Sequence, residues 1–226
     1  MLRRFSPLMA VFIVALAAGY WLMQPDPTAE FDLPFAANAE SSSGSDTETS
    51  GLAITEMVLG SEDAPITVIE YASFTCPHCA SFHKEVYKLL KKNYIDTNKV
   101  KFVFREVFFD KCGMWASLVA RCAGPDKFFG LTDMMLKTQN KWARADSDLA
   151  IVGELSKIGR VAGLDKEQLQ SCLADGDKLR ALVGWYKENA VRDQIKSTPS
   201  FIIDEEPYAN MSYEEFSKLL DEKLGS

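Results

Sequence analysis

Cys76-Pro77-His78-Cys79 stands between a stretch that reads as a strand and one that reads as a helix, and this placement limits the possible folds more than any other feature of the chain. Upstream, Ile66-Thr67-Val68-Ile69-Glu70-Tyr71 has the β-branched and aromatic content of a buried strand, and Ala72 to Thr75 lead into the cysteines. Downstream, Phe82, Val86, Leu89 and Leu90 recur at helical spacing, with Lys88, Lys91 and Lys92 gathered near the end, where the helix dipole favours cations. Val100 to Val107 predicts a second strand, which a right-handed helical crossover places parallel to the first.

From about residue 113 to 195 the pattern is helical throughout. Trp115, Leu118, Val119 and Cys122 form one stripe before Gly124-Pro125 breaks it, and further helices are expected near 126–142, 147–161, 166–174 and 178–195. Trp115, Trp142 and Trp185 are expected to pack this block. Strand character returns at Thr198 to Ile203 and again near Pro207 to Ala209, and Ser212 caps a last helix holding Phe216, Leu219 and Leu220. The predicted order is β-α-β, a helical block, then β-β-α, with no internal repeat.

The N-terminus is of another kind. Arg3 and Arg4 precede an apolar run from Leu8 to Met23, and Gln24-Pro25-Asp26-Pro27 follows, as in an export signal. The run is long for a signal-peptide core and short for a membrane span of about 20 residues. Ala15-Leu16-Ala17 lies inside it and Ala37-Asn38-Ala39 well beyond it, so neither is a good cleavage site. Residues 1–23 are read as a signal peptide or a signal anchor, with the balance towards an uncleaved anchor and the rest of the chain outside the cytoplasmic face. Residues 24–51 have the Ser, Glu, Asp, Thr and Pro content of a flexible tether. A net charge of −7 without a basic patch argues against a nucleic-acid partner. Five cysteines in an exported domain imply an oxidising compartment, and the odd count leaves one thiol over.

A strand entering C-x-x-C, a parallel strand ending Phe104-Arg105-Glu106, Glu70 six residues before Cys76, and Thr198-Pro199 at the head of a late strand together resemble the thioredoxin fold. With the helical block between its halves, the chain from about Ile54 onward is similar to the DsbA family of exported thiol oxidoreductases. The resemblance implies an α/β thioredoxin fold over residues 52–226, with an all-helical subdomain inserted at about 113–195. It implies a protein-disulfide oxidoreductase that donates disulfides to reduced, unfolded exported proteins. The setting would be the bacterial periplasm or cell envelope, with attachment to the inner membrane if the N-terminal segment stays. A DsbB-like membrane quinone reductase would be the reoxidant, and neither metal nor cofactor would be needed. The sequence departs from the family at Asp204 to Asn210, where relatives turn with Asn-Gly, and this bears on the last hairpin and not on the cysteines.

In this reading Cys76 occupies a helix N-terminus, where unpaired N–H groups and the positive end of the dipole stabilise a thiolate. Pro77 has no N–H to leave unpaired, and His78 adds a donor or a positive charge beside the sulfur. Stabilising the reduced thiolate makes the disulfide the stronger oxidant: a Cys76 pKa near 4, the size known for DsbA itself, would favour the reduced form by about 4 kcal/mol at pH 7, or roughly 90 mV. Cys79 is expected to be shielded. By resemblance, Glu70 is a partly buried carboxyl placed to accept and return the Cys79 proton, the alternative being a strand-end carboxylate facing solvent. Pro199 corresponds to the family's cis-proline, and Thr198 is then the side chain nearest the disulfide, on an edge that pairs with substrate.

Other residues leave alternatives open. His83 with His78, Cys76 and Cys79 sketches a zinc site, but one helix holding all four does not close a tetrahedron, and a surface histidine is the expected case. Cys112 and Cys122 lie about 15 Å apart on a continuous helix, too far for a disulfide. A second bridge must then contain Cys172. Cys122 is the better partner, since both lie on apolar stripes, and related sequences of the family point the same way. Otherwise Cys112, Cys122 and Cys172 are buried small residues. Asp204 to Glu206 reads as a solvated turn. Beside the disulfide donor stand an isomerase or reductase on the same fold, a membrane-tethered chaperone or binding module without redox turnover, and a metal-binding adaptor.

Overall fold

A computed structural model describes residues 52–225, and the segments read as signal or anchor (1–23) and as tether (24–51) lie outside the described residues. The core is a five-stranded sheet in the order β1-β3-β2-β4-β5. It is built from β1 (Met57–Leu59), β2 (Ile66–Ala72), β3 (Val100–Glu106), β4 (Ser200–Ile203) and β5 (Glu206–Ala209). β2 and β3 run parallel, as the crossover requires, and the other neighbours are antiparallel. β1 is too short to have left a signal in the sequence.

Strand register decides which side chains share a face. Glu70 stands between Phe104 on β3 and Phe201 on β4, and Val68 between Phe102 and Ile203. That face is covered by the helix leaving the cysteines, α1. It is α-helical over Pro77–Phe82, π-helical over His83–Tyr87, α-helical over Lys88–Leu90 and π-helical again over Lys91–Ile95. The last helix, α8 (Tyr213–Leu224), covers it beside α1: Phe82, Phe201 and Phe216 meet with ring centroids 4.8 to 6.3 Å apart. On the opposite face Tyr71, Val107 and Ile202 pack with Tyr186 and Ile195.

The inserted block consists of α2 (Lys111–Cys122), α3 (Pro125–Lys137), α4 (Gln139–Trp142), α5 (Asp148–Val161), α6 (Lys166–Leu173) and α7 (Gly176–Arg192). Short polar side chains start most of them. Asp110, Ser147 and Asp175 each accept a backbone N–H from their own first turn, and Asp165 forms a reciprocal capping box with Gln168. The single helix expected over 126–142 is two helices, because the chain leaves helical geometry at Thr138 and restarts with Gln139. Trp142 is buried and donates its indole N–H to the Met135 carbonyl; Trp115 is also buried, and Trp185 is half-buried.

The block is fastened to the sheet and within itself. Arg121 on α2 grips the buried Glu106 at the end of β3 through two bonds of 2.6 and 2.7 Å, and Ser117 donates to the same carboxylate. Cys122 is joined to Cys172 with Cα atoms 6.0 Å apart, tying α2 to α6, while Cys112 is free. No described helix is long and apolar enough to cross a membrane.

Candidate active site

β2 ends at Ala72 and the chain turns through Ser73, whose carbonyl accepts the Cys76 N–H at 3.1 Å. Cys76 has extended backbone geometry as the N-cap of α1, and Pro77 follows in the first turn, where its missing N–H costs nothing. Pro77 and His78 are exposed, Cys76 is 7% exposed, and Cys79 is fully buried. The motif therefore leaves one cysteine slightly exposed and hides the other completely.

The electrostatics follow from this arrangement. The Cys79 thiol and Thr198 hydrogen-bond to the Cys76 sulfur, as do the backbone N–H groups of Cys79 and His78. Together they outweigh burial and lower its pKa to about 5. Burial first, then Cys76 and the charge of Glu70, push Cys79 far above the ordinary thiol range. At neutral pH the outer sulfur is a thiolate and the inner one a thiol. His78 contributes its main-chain N–H to this set of donors.

Thr198-Pro199 is a cis peptide at the head of β4, and the Thr198 carbonyl oxygen lies 3.5 Å from Cys76 Sγ, close enough to accept from it when the sulfur is protonated. The loop before β4 thus meets the motif at Cys76. Beneath the motif, Glu70 does not face solvent: it is 0% exposed between its phenylalanine neighbours and meets His83 Nε2 at 2.9 Å. His83, expected at the surface, is 1% exposed. The two histidines of the zinc sketch do not share an environment: His83 is buried on Glu70 while His78 stands in solvent.

Gln139 is a residue the sequence reading missed. Its amide nitrogen donates to the carbonyls of Phe74 (2.8 Å) and Cys76 (2.9 Å), both within the turn that presents the cysteines. An inserted helix thereby holds the active-site turn from the side. No local pattern announces such a clamp. For His83 a signal existed: it lies four residues after Cys79, on the helix face that a buried Glu70 must meet.

The sequence model of the family described as Thioredoxin matches residues 52–222. The chain belongs to the thioredoxin family. Within it the likeness is to DsbA-type proteins. A Rickettsia bellii protein provisionally named protein-disulfide oxidoreductase is 35% identical over 170 residues, 75% of this chain. Disulfide bond formation protein D of Bacillus subtilis is 25% identical over 172 residues, covering 74% of this chain and 76% of its own length. The crystal structure of Wolbachia pipientis alpha-DsbA1 superposes with a TM-score of 0.69 at 26% identity, over 77% of this chain and 93% of that one. The chain spans 64% of the length of the Rickettsia bellii protein. This thioredoxin-family chain carries the expected fold, with the helical subdomain inserted between β3 and β4.

Proposed function

We propose that this chain is a thiol-disulfide oxidoreductase that donates the Cys76–Cys79 disulfide to reduced, unfolded exported proteins. The observation that carries this reading is the asymmetry of the pair: a cysteine at the edge of the buried region, 7% exposed and with a pKa of about 5, beside a fully buried thiol and next to the cis Thr198-Pro199 edge. A substrate thiolate attacks Cys76, since Cys79 is out of reach, and a mixed disulfide forms on Cys76. The substrate's second thiolate then attacks its own sulfur in that bond and leaves oxidised, and Cys76 and Cys79 remain reduced. Thr198 and Pro199 supply the edge along which an extended substrate segment lies, and Glu70 accepts and returns the Cys79 proton. A DsbB-like membrane quinone reductase regenerates the disulfide. The chain works in the bacterial periplasm or cell envelope, held by residues 1–23 if these are retained.

The test is oxidation of a reduced unfolded peptide carrying two cysteines. The wild-type disulfide form is expected to transfer its disulfide stoichiometrically, and Cys76→Ser to transfer none. Protection of the peptide from aggregation by a Cys76→Ser protein, together with no transfer by the wild type, would replace the donor by a binding module.

A further inference from the structure

His83 opens the first π-helical turn of α1, and its backbone N–H donates to the Cys79 carbonyl one turn earlier. Its ring is enclosed by aromatic side chains: Tyr87 stacks on it at 4.4 Å, and Phe82 and Phe104 meet it edge-on. Its one polar side-chain contact among the described residues is Glu70, at 2.9 Å, and both side chains are buried almost completely. Glu70 Oε1 and His83 Nδ1 have no hydrogen-bond partner among the described residues. Two ionisable groups so placed are a buried acid–base pair with spare capacity on each side.

A carboxyl alone in such surroundings is driven to its neutral form, because burial penalises the charge. A neutral carboxyl cannot accept a proton. An imidazolium in contact with it reverses that, since the opposite charge favours the carboxylate. The proton between the two then belongs to the pair, and not to either residue alone.

We propose that His83 is the positioning residue that keeps Glu70 ionised, and so able to take the Cys79 proton during disulfide exchange. This rests on the exchange reading above. When Cys76 carries a mixed disulfide, Cys79 Sγ attacks Cys76 Sγ. The Cys76–Cys79 bond forms, the bond from Cys76 to the partner sulfur breaks, and the departing thiolate takes the electron pair. The Cys79 proton passes to the Glu70 carboxylate, while His83 stays an imidazolium. When a thiolate attacks Cys76 of the disulfide form, Cys79 leaves with the electron pair and recovers the proton from Glu70. The titratable groups near His83 are Glu70 on β2 and Cys79 and Tyr87 on α1, with Asp133 on α3 and Asp96 after α1 felt at Tyr87.

The test follows the release of glutathione from a Cys76 mixed disulfide by Cys79 in a single turnover between pH 5 and 8. His83→Gln, which keeps a hydrogen-bond donor without a titrating ring, is expected to release glutathione at least tenfold more slowly at pH 7 and with an altered pH profile. Alkylation of Cys76 by iodoacetamide should stay within twofold of wild type, which a general disturbance of the site would not allow. Glu70→Gln should show the same loss, and the double variant no more than either single one. The chain has only two histidines, so 15N-histidine NMR of the unaltered reduced protein gives an independent reading: the buried ring should be an imidazolium at pH 7. A neutral buried ring, or glutathione release within twofold of wild type at every pH, overturns the proposal. Failure of the wild-type protein to form any adduct at Cys76 instead overturns the exchange reading, and this inference with it.

Discussion

A thiolate at Cys76 is a matter of a few hydrogen bonds, and its consequence is a pH dependence with a definite sign. The folded pKa of about 5 lies below that of an ordinary thiol, so the site stabilises the reduced protein fully above pH 9. This stabilisation declines as the pH falls and is gone below about 5. At pH 7 it amounts to about 3 kcal/mol, or roughly 60 mV towards a more oxidising disulfide, somewhat less than a pKa near 4 would give. Thiolate absorbance at 240 nm in the reduced protein should lose its Cys76 component with a midpoint near pH 5. A midpoint above 8 would mean that the hydrogen bonds around the sulfur do not act as described. Gln139→Leu leaves the buried carbonyls of Phe74 and Cys76 without their shared donor and should cost about 1–3 kcal/mol in urea unfolding. At this scale the sequence was legible where chemistry is local. The cysteines, Pro77 and the Thr198-Pro199 pair announce themselves by spacing, whereas Gln139 matters only because a helix of the insertion returns to residues more than sixty positions earlier.

Helices and strands were legible where their ends carry signals. Ser147 and Ser212 mark helix starts that the structure places at the next residue, and β2 and β3 emerge from their β-branched and aromatic runs. The break at Thr138 has no such mark, and neither have the π-helical turns of α1, for which we have no physical account. The last hairpin shows how the departure from Asn-Gly is accommodated. Asp204 and Glu205 both take left-handed backbone geometry, with φ of 47° and 71°, between the paired residues Ile203 and Glu206. Asp204 is compensated: its carboxylate accepts the Thr67 N–H at 2.9 Å, and its own N–H donates to the Thr67 carbonyl. For Glu205 the left-handed conformation costs about 1 kcal/mol relative to glycine. Glu205→Gly is therefore expected to raise the unfolding free energy by about that amount, measured by chemical denaturation, with no change in thiol chemistry. Loss of stability in that variant would mean that the turn does not have this geometry.

The whole molecule joins a thioredoxin sheet to a helical block, and β3 is where they are held together. Neighbouring residues of that strand serve opposite faces. Glu106 is bound by Arg121 of the block, while Arg105 takes Glu56 through two bonds and reaches Asp193 at the end of α7. The division into strand-helix-strand, helical block and strand-strand-helix was legible, because periodicity reports each element. The ties between the parts were not, since an ion pair across 15 or 88 residues leaves no periodic trace. The Cys122–Cys172 bridge spans 50 residues, and replacing both cysteines by alanine should lower stability by about 4 kcal/mol while leaving thiol exchange at Cys76 intact. The sheet, α1 and the loop before β4 together present one acidic thiol above one buried thiol. The equilibrium of the Cys76–Cys79 couple with glutathione buffers at pH 7 tests that directly. A couple more oxidising than glutathione is expected, with the disulfide readily reduced. A potential below that of glutathione would contradict it and make this chain a reductase.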